Sequence, residues 1–371
     1  MRKAVLLSLS VAVTAALMAG CASKPAQTQT SAAQTQAAQT QAAQTQAAGQ
    51  SEAPKEESKE TEAKADDGKV YELRTSSNQA QSGTIGRALE FFCKTVEEKS
   101  GGRIKTTANF GNELGSQSEQ VEMCQAGALE MVAAAPGTGP GVWVPELQMF
   151  EFPFLFKDNE EYREVIKAME PEVSKRLEQH GFVACGGQSM GARDMLTVAP
   201  VTKLEDMKGL KMRGPNNIYI SMFDCLGASG TTMDWNEVYT ALQTKVMDGM
   251  EASPSMINSM KFQDNAKNLA VTNHCMACIM YFFNKDWYDS LPQDLQQIIM
   301  ESVDETVAYQ ARIDDEDNDK ALEEMKAEGV VITEIQDIDK WKEACAPMLE
   351  EYRAKGDNWN SFIDMILEAQ K

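Results

Sequence analysis

One arginine, two histidines and a CxxC pair are the side chains in this sequence whose company suggests chemistry. Arg213 ends the run Lys208-Gly-Leu-Lys-Met-Arg213 and is followed at once by Gly214-Pro215. Lys211-Met212-Arg213 reads as the end of a short strand, stopped sharply by the Gly-Pro pair. An arginine held there presents a rigid guanidinium fork, suited to gripping one carboxylate with two hydrogen bonds. The competing reading is a surface salt bridge. His274-Cys275-Met-Ala-Cys278 could bind a metal or cycle a disulfide, yet it has no second ligand pair nearby, and Cys278 runs into an apolar strand. His180 and His274 are far apart in the chain, and neither belongs to an HExxH motif. There is no Gly-x-Ser-x-Gly elbow. Gly137-Thr-Gly-Pro-Gly141 lacks the Gly-Lys-Ser/Thr end of a phosphate loop and reads as a loop after a strand. With 56 acidic residues, carboxylate pairs arise by chance and do not argue for hydrolysis. These residues describe a binder without cofactor rather than an enzyme.

Positioning Arg213 takes a strand before it and a helix after it. In Trp235-Asn-Glu-Val-Tyr-Thr-Ala-Leu-Gln-Thr244, Asn236 reads as the cap of a helix carrying Val238, Tyr239 and Leu242 at helical spacing. Asp248-Gly249 reads as the tight turn that follows. Elsewhere the pattern predicts strands over 70–74, 104–108, 130–135, 182–185, 195–198, 276–284 and 330–333. It predicts helices over 84–99, 116–126, 159–180, 218–226, 337–355 and 359–370. Residues 292–328 read as one very long helix or two abutting ones, with Asp314 to Asp319 as a solvated helix face. Alternation of this kind argues an α/β fold, and residues 70–371 suffice for two lobes with separate cores.

The segment from Asp206 to Glu251 resembles the extracytoplasmic solute receptors of TRAP transporters, the DctP-like family. There a D-hKGLKhR-P segment (h, hydrophobic) precedes EVYtALQt-hhDG-E, here Asp206 to Pro215 and Glu237 to Glu251. Glu98-Lys-Ser-Gly-Gly-Arg103, Glu113-Leu-Gly115 and Thr272-Asn-His274 extend the resemblance over most of the chain from Val70 onward. It implies a two-lobed clamshell like the periplasmic binding proteins, with a long helix spanning both lobes. Lobe 1 would hold 70–190 and 279–318, and lobe 2 would hold 191–278 and 319–371, with crossings near Gly191 and Cys278. Ligand would bind in the cleft and the lobes close over it.

The resemblance also distributes roles. Arg213 takes the ligand carboxylate. Arg193 occupies a second arginine position, its rival reading being a hinge salt bridge. Trp235 stands where an aromatic usually faces the cleft, against simple core packing, and Asp234 beside it would accept hydroxyl hydrogen bonds. Asn78, Ala135 and Thr138 are the expected contributions of lobe 1, although Asn78 also reads as a turn residue. Ala252 replaces the asparagine that often contacts ligand, and His274 is as readily a structural histidine as a contact. The apolar Ala133-Ala-Ala135 disfavours sialic acid. A sugar acid such as a uronate or aldonate is the expected ligand, because Asp234 would repel a second carboxylate. A C4-dicarboxylate using Arg193 is the alternative, and from a different class a metal or redox protein using Cys275 and Cys278. The partner would be a sodium-driven TRAP permease, and the receptor a monomer.

Residues 1–20 read as a bacterial lipoprotein signal: Arg2-Lys3, an apolar stretch, then Met18-Ala-Gly-Cys21. The stretch is too short to span a bilayer, so cleavage before Cys21 would leave a lipid-bearing N-terminus on the outer face of the cell membrane. Residues 21–69, with repeated Ala-Ala-Gln-Thr-Gln and then a Glu/Lys tract, offer no large apolar groups and read as a disordered tether. The charges of residues 1–69 cancel, so the whole net charge of −21 falls on 70–371. That excludes nucleic acid and anionic lipid as partners of the folded part, since both call for basic patches. The seven cysteines beyond Cys21 form no disulfide framework and read as buried thiols.

Overall fold

The structure, a computed structural model, describes residues 68–371. The signal peptide, Cys21 and nearly all of the tether lie outside the described residues. In chain order the strands are β1 (Tyr71–Ser77), β2 (Ile104–Phe110), β3 (Met131–Ala134), β4 (Phe182–Thr197), β5 (Lys211–Gly214), β6 (Ser229–Thr232), β7 (Gly249–Ala252), β8 (Asn268–Asn284) and β9 (Val331–Glu334). The helices are α1 (Thr84–Lys99), α2 (Gln117–Gln125), α3 (Asn159–Glu178), α4 (Asn217–Cys225), α5 (Val238–Gln243), α6 (Pro254–Ser259), α7 (Lys285–Ser290), α8 (Gln293–Ala327), α9 (Ile338–Cys345), α10 (Met348–Arg353) and α11 (Asp357–Ala369). The fold is mixed α/β, as the alternation predicts.

The strands form one sheet ordered β2-β1-β3-β8-β4-β7-β5-β6, with β9 added on β8. β4 and β8 are the frame. They pair antiparallel from Phe182–Asn284 at one end to Thr197–Asn268 at the other. Their first stretch joins β3, β1 and β2; their second joins β7, β5 and β6 on one side and β9 on the other. The sheet is thus two lobes with two strands in common. The register slips between Cys185 and Gln188, between Ser189 and Ala192, and between Arg193 and Met195. Gly186-Gly187 and Gly191 fall in the first two slips and Asp194 in the third.

Those bulges explain one departure from expectation. Residues 182–185 and 195–198, predicted as two strands, are a single strand, because the residues between them are absorbed within the ladder as bulges. Likewise β8 begins at Asn268 rather than 276. The predicted helix over 337–355 is two helices, divided at Ala346-Pro347 where proline cannot continue the ladder. The turn after α5 is made by Lys245 in the left-handed region (φ 58°) rather than by Asp248-Gly249, and Gly249 opens β7. Asn236 caps nothing: it lies inside a 3-10 turn, Trp235–Glu237, entered from Asp234. β6 and β7, short and poor in apolar alternation, went unpredicted.

α8 is one helix of 35 residues. Leu295, Ile299 and Val303 recur at four-residue spacing and bury against the lobe 1 core of Leu89, Phe92 and Tyr281. Met325, far along the same helix, buries in the lobe 2 core with Trp235, Leu242 and Phe262. Packing in both cores ties this helix to both lobes. The acidic run is not wholly solvated, since Asp314 is buried near Arg163. A third core runs from α3 and β8 to α4 and α11, so the C-terminal helices fasten the opposite face.

Candidate ligand-binding cleft

β5 is four residues long, and its alternation does the essential sorting. Met212 buries in the core with Tyr219 and Phe223, while Arg213 joins the lining of a cavity of about 390 Å³. Gly214 then permits a close approach: a Cβ there would lie 2.7 Å from Tyr219 Cβ. α4 therefore packs tightly on the strand end. Its cap, Asn216, accepts the Ile218 N–H through Oδ1 at 3.1 Å. Its first turn brings Tyr219 to the cavity wall.

Arg213 is 4 % exposed and takes part in no ion pair among the described residues. Nε donates to the Met233 carbonyl at 2.9 Å, and the guanidinium carbon lies 5.5 Å from the Trp235 ring centroid. Backbone and indole thus hold the plane of the fork while leaving its two terminal nitrogens uncommitted. Burial pushes the group down to about 10, so it stays charged at neutral pH. A buried cation without a counter-ion is costly, and a ligand anion would complete it.

Arg193 differs. On β4 it faces Glu251 of β7: Nε donates to Glu251 Oε2, and Nη2 donates to Glu251 Oε1 at 2.9 Å and to the Glu251 carbonyl at 3.0 Å. Both residues are buried. Burial pushes Glu251 up, but the Arg193 charge and hydrogen bonds outweigh it and leave the carboxylate below its usual range. Among the described residues Nη1 meets only the Met256 sulfur at 3.8 Å, so Arg193 reaches the cleft as half of a neutral pair. The salt bridge and the cleft position therefore coexist.

Asn78, Ala135, Thr138, Trp235 and Asp234 also line the cavity. Asn78 Oδ1 accepts from Gln79 Nε2 at 2.9 Å, and Ala135 offers a backbone N–H already given to Gln117 Oε1 at 3.2 Å. Trp235 belongs to core and cleft together: it packs edge-on to Phe262 at 4.9 Å, and its Nε1 finds no partner among the described residues. Asp234 is exposed at the rim.

Two of the nine candidate positions lie apart from the cavity. Ala252 follows Glu251 on β7, so strand alternation turns it into the lobe 2 core. His274 is fully buried, with Nδ1 2.8 Å from Thr272 Oγ1 and Nε2 3.6 Å from Glu251 Oε2. Burial lowers its proton affinity, so the neutral ring supports Glu251 from behind.

The cysteines fit metal or redox work poorly. Cys275 groups with Glu251 and His274, but that carboxylate is engaged by Arg193. Cys275 lies 3.7 Å from the Tyr219 hydroxyl, and burial raises both Cys275 and Cys278 well above the usual thiol range.

Sequence reasoning missed Glu151, Tyr219 and Gln117. Glu151 lines the cavity at 2 % exposure, at the end of a 3-10 turn, Pro145–Glu151. Its signal was available: it is the one acid inside the apolar run Met149 to Phe156. Asn216 Nδ2 donates to its Oε2. Burial pushes the carboxyl up to about 7, against the pull of Arg193, Asn216 and Arg213.

The sequence profile of the DctP family, described as bacterial extracellular solute-binding protein, family 7, matches residues 75–355. The C4-dicarboxylate-binding periplasmic protein DctP of Rhodobacter capsulatus is 29 % identical over 72 % of this chain and 81 % of that one. A TRAP periplasmic solute binding protein of Desulfovibrio salexigens with bound orotic acid superposes with a TM-score of 0.78 at 27 % identity, over 81 % of this chain and 98 % of that one. Another, of Xanthobacter autotrophicus with bound β-D-galacturonate, superposes at 0.75 and 26 % identity, over 80 % and 99 %.

Proposed function

The chain belongs to the DctP family of bacterial extracellular solute-binding proteins, and from that premise we propose that it captures a small monocarboxylate, a sugar acid foremost, for delivery to a TRAP permease. Arg213 carries this reading: it is a buried guanidinium with its terminal nitrogens uncommitted, facing a polar cleft. The carboxylate pairs with Arg213. Thr138, Asn78, Asp234 and the free edge of Arg193 take polar groups on the ligand body, Trp235 covers its less polar face, and lobe closure excludes water. Nothing in this sequence of events is chemical turnover, in keeping with a family of receptors rather than enzymes.

The C4-dicarboxylate alternative asks Arg193 for a second counter-charge. Glu251 has already neutralised it, and a second carboxylate would also meet Asp234. That favours one carboxylate over two. The neighbours with bound galacturonate and orotic acid support the monocarboxylate reading, and the Rhodobacter relative supports the alternative. On the same reading Cys21 carries the lipid, the lobes divide near residues 190 and 279, and the receptor works as a monomer.

A thermal-shift screen of ligand-stripped protein against uronates, aldonates, orotate, C4-dicarboxylates and keto acids tests it. An acid at 100 times its dissociation constant adds about 2.7 kcal/mol of stability. Stabilisation by monocarboxylates that disappears in Arg213→Ala is the expected result. Equal or stronger stabilisation by succinate would move the assignment to dicarboxylates.

A further inference from the structure

Glu151 is a buried acid in the cleft that carboxylate capture by Arg213 does not use. Its Oε2 accepts from Asn216 Nδ2, and Asn216 cannot turn round, because its Oδ1 already accepts the Ile218 N–H. Oε1 takes part in no hydrogen bond among the described residues, although Glu151 lines the cavity. The placement is built: a Cβ on Gly137 would lie 3.1 Å from Glu151 Oε2 and 2.9 Å from Gln148 Cα. The titratable and charged groups around it are Arg193 of β4, Arg213 of β5, Glu251 of β7, Tyr219 of α4, Tyr162 of α3, and Cys275 and Cys278 of β8. Among these, Glu251 cancels Arg193. Once a ligand carboxylate cancels Arg213, no positive charge remains for Glu151, and an ionised Glu151 would be an unpaired buried anion.

We propose that Glu151 is a specificity-determining residue that meets the ligand as the undissociated acid, donating a hydrogen bond from Oε1 to a ligand oxygen, so that the closed complex holds one proton with the bound anion. The inference rests on the reading of Arg213 given above. It deepens that reading by requiring an acceptor oxygen, a hydroxyl or carbonyl, beside the carboxylate, and it makes affinity pH-dependent. The empty cleft already holds the Glu151 carboxyl at about 7, burial being the leading cause. Ligand removes the opposing pull of Arg213 and raises it further. Below that pH the proton is present beforehand and affinity is flat. Above it, binding must take a proton up, and affinity falls toward tenfold per pH unit.

The test is calorimetric titration of the full chain with the stabilising acid from pH 6 to 8.5, below the range where Arg213 titrates, in two buffers of different ionisation enthalpy. Native protein, Glu151→Gln and Arg213→Ala are compared. The native protein is expected to lose affinity as pH rises above 7 and to take up close to one proton at pH 8.5. Glu151→Gln donates through its amide, so it should hold its affinity across the range without proton uptake. If binding depends on Arg213 but native and Glu151→Gln are equally flat, or if native affinity rises with pH, the inference is overturned and the Arg213 reading stands. If Arg213→Ala binds like native, the carboxylate reading itself fails.

Discussion

Arg213 and Arg193 share one cleft and have opposite energetics, and the difference is a single partner. Arg193 is closed by Glu251 with two side-chain hydrogen bonds, whereas Arg213 has a carbonyl and an indole face but no carboxylate. Removing one member of a buried pair strands the other, so Glu251→Ala is expected to cost about 3–5 kcal/mol in urea unfolding. Arg213→Met should do the reverse. It removes an uncompensated charge and should raise the melting temperature of the ligand-free protein while weakening ligand by about 2–5 kcal/mol in calorimetry. A fall in ligand-free stability on Arg213→Met would mean that the guanidinium has a counter-ion in solution. The thiols give a simpler test. Cys225 is half-buried and the other described cysteines are buried, so alkylation of native protein should label Cys225 first and the rest only after unfolding.

At the scale of elements, both lobes rest on two shared strands whose register slips at bulges. Gly187 falls in one slip, where α3 runs against it: a Cβ would lie 2.0 Å from Ile166 Cγ2. Gly187→Ala therefore forces α3 away from β4, at an expected cost of about 1–3 kcal/mol by denaturant titration. An unchanged midpoint would show that α3 shifts freely there. Gly214 does the same at the ligand end, setting α4 close enough to bring Asn216 to Glu151 and Tyr219 to the cavity. Both glycines were visible in the sequence. Which helix would press on them was not.

For the whole molecule, charge and burial act on stability in one direction. The net charge of −21 repels itself increasingly as carboxyls ionise. Burial pushes Asp194 up to about 6, and Glu151 and Asp314 up to about 7. Unfolded carboxyls ionise near 4, so between about pH 4 and 7 the folded state binds more protons and stability falls as pH rises. Below that window the carboxylates held low by hydrogen bonds, Glu97 and Asp206 among them, begin to lose their contribution. Scanning calorimetry of ligand-free protein should therefore give a higher melting temperature at pH 5 than at pH 8. A midpoint that climbs from pH 5 to 8 would contradict the protonated state of these three acids.

By itself the sequence determined the kind of fold and the arginine before Gly-Pro, and its family resemblance pointed to most of the cleft lining. Hydrophobic period and chain-breaking residues are local quantities, and Lys211–Gly214, the helical run over 292–328 and the burial of every described cysteine but Cys225 follow from them, while the structure makes that run one helix. Tertiary structure alone decided which arginine is free. Arg193 and Glu251 are 58 residues apart, and only the pairing of β4 with β7, which sets Glu251 opposite Met195, brings them within reach. It likewise placed Ala252 and His274 beside Glu251 but away from the cavity, and carried Glu151 from an apolar run to the cleft wall. A residue's type is written along the chain, but its counter-charge depends on register between distant strands, and no local pattern encodes that.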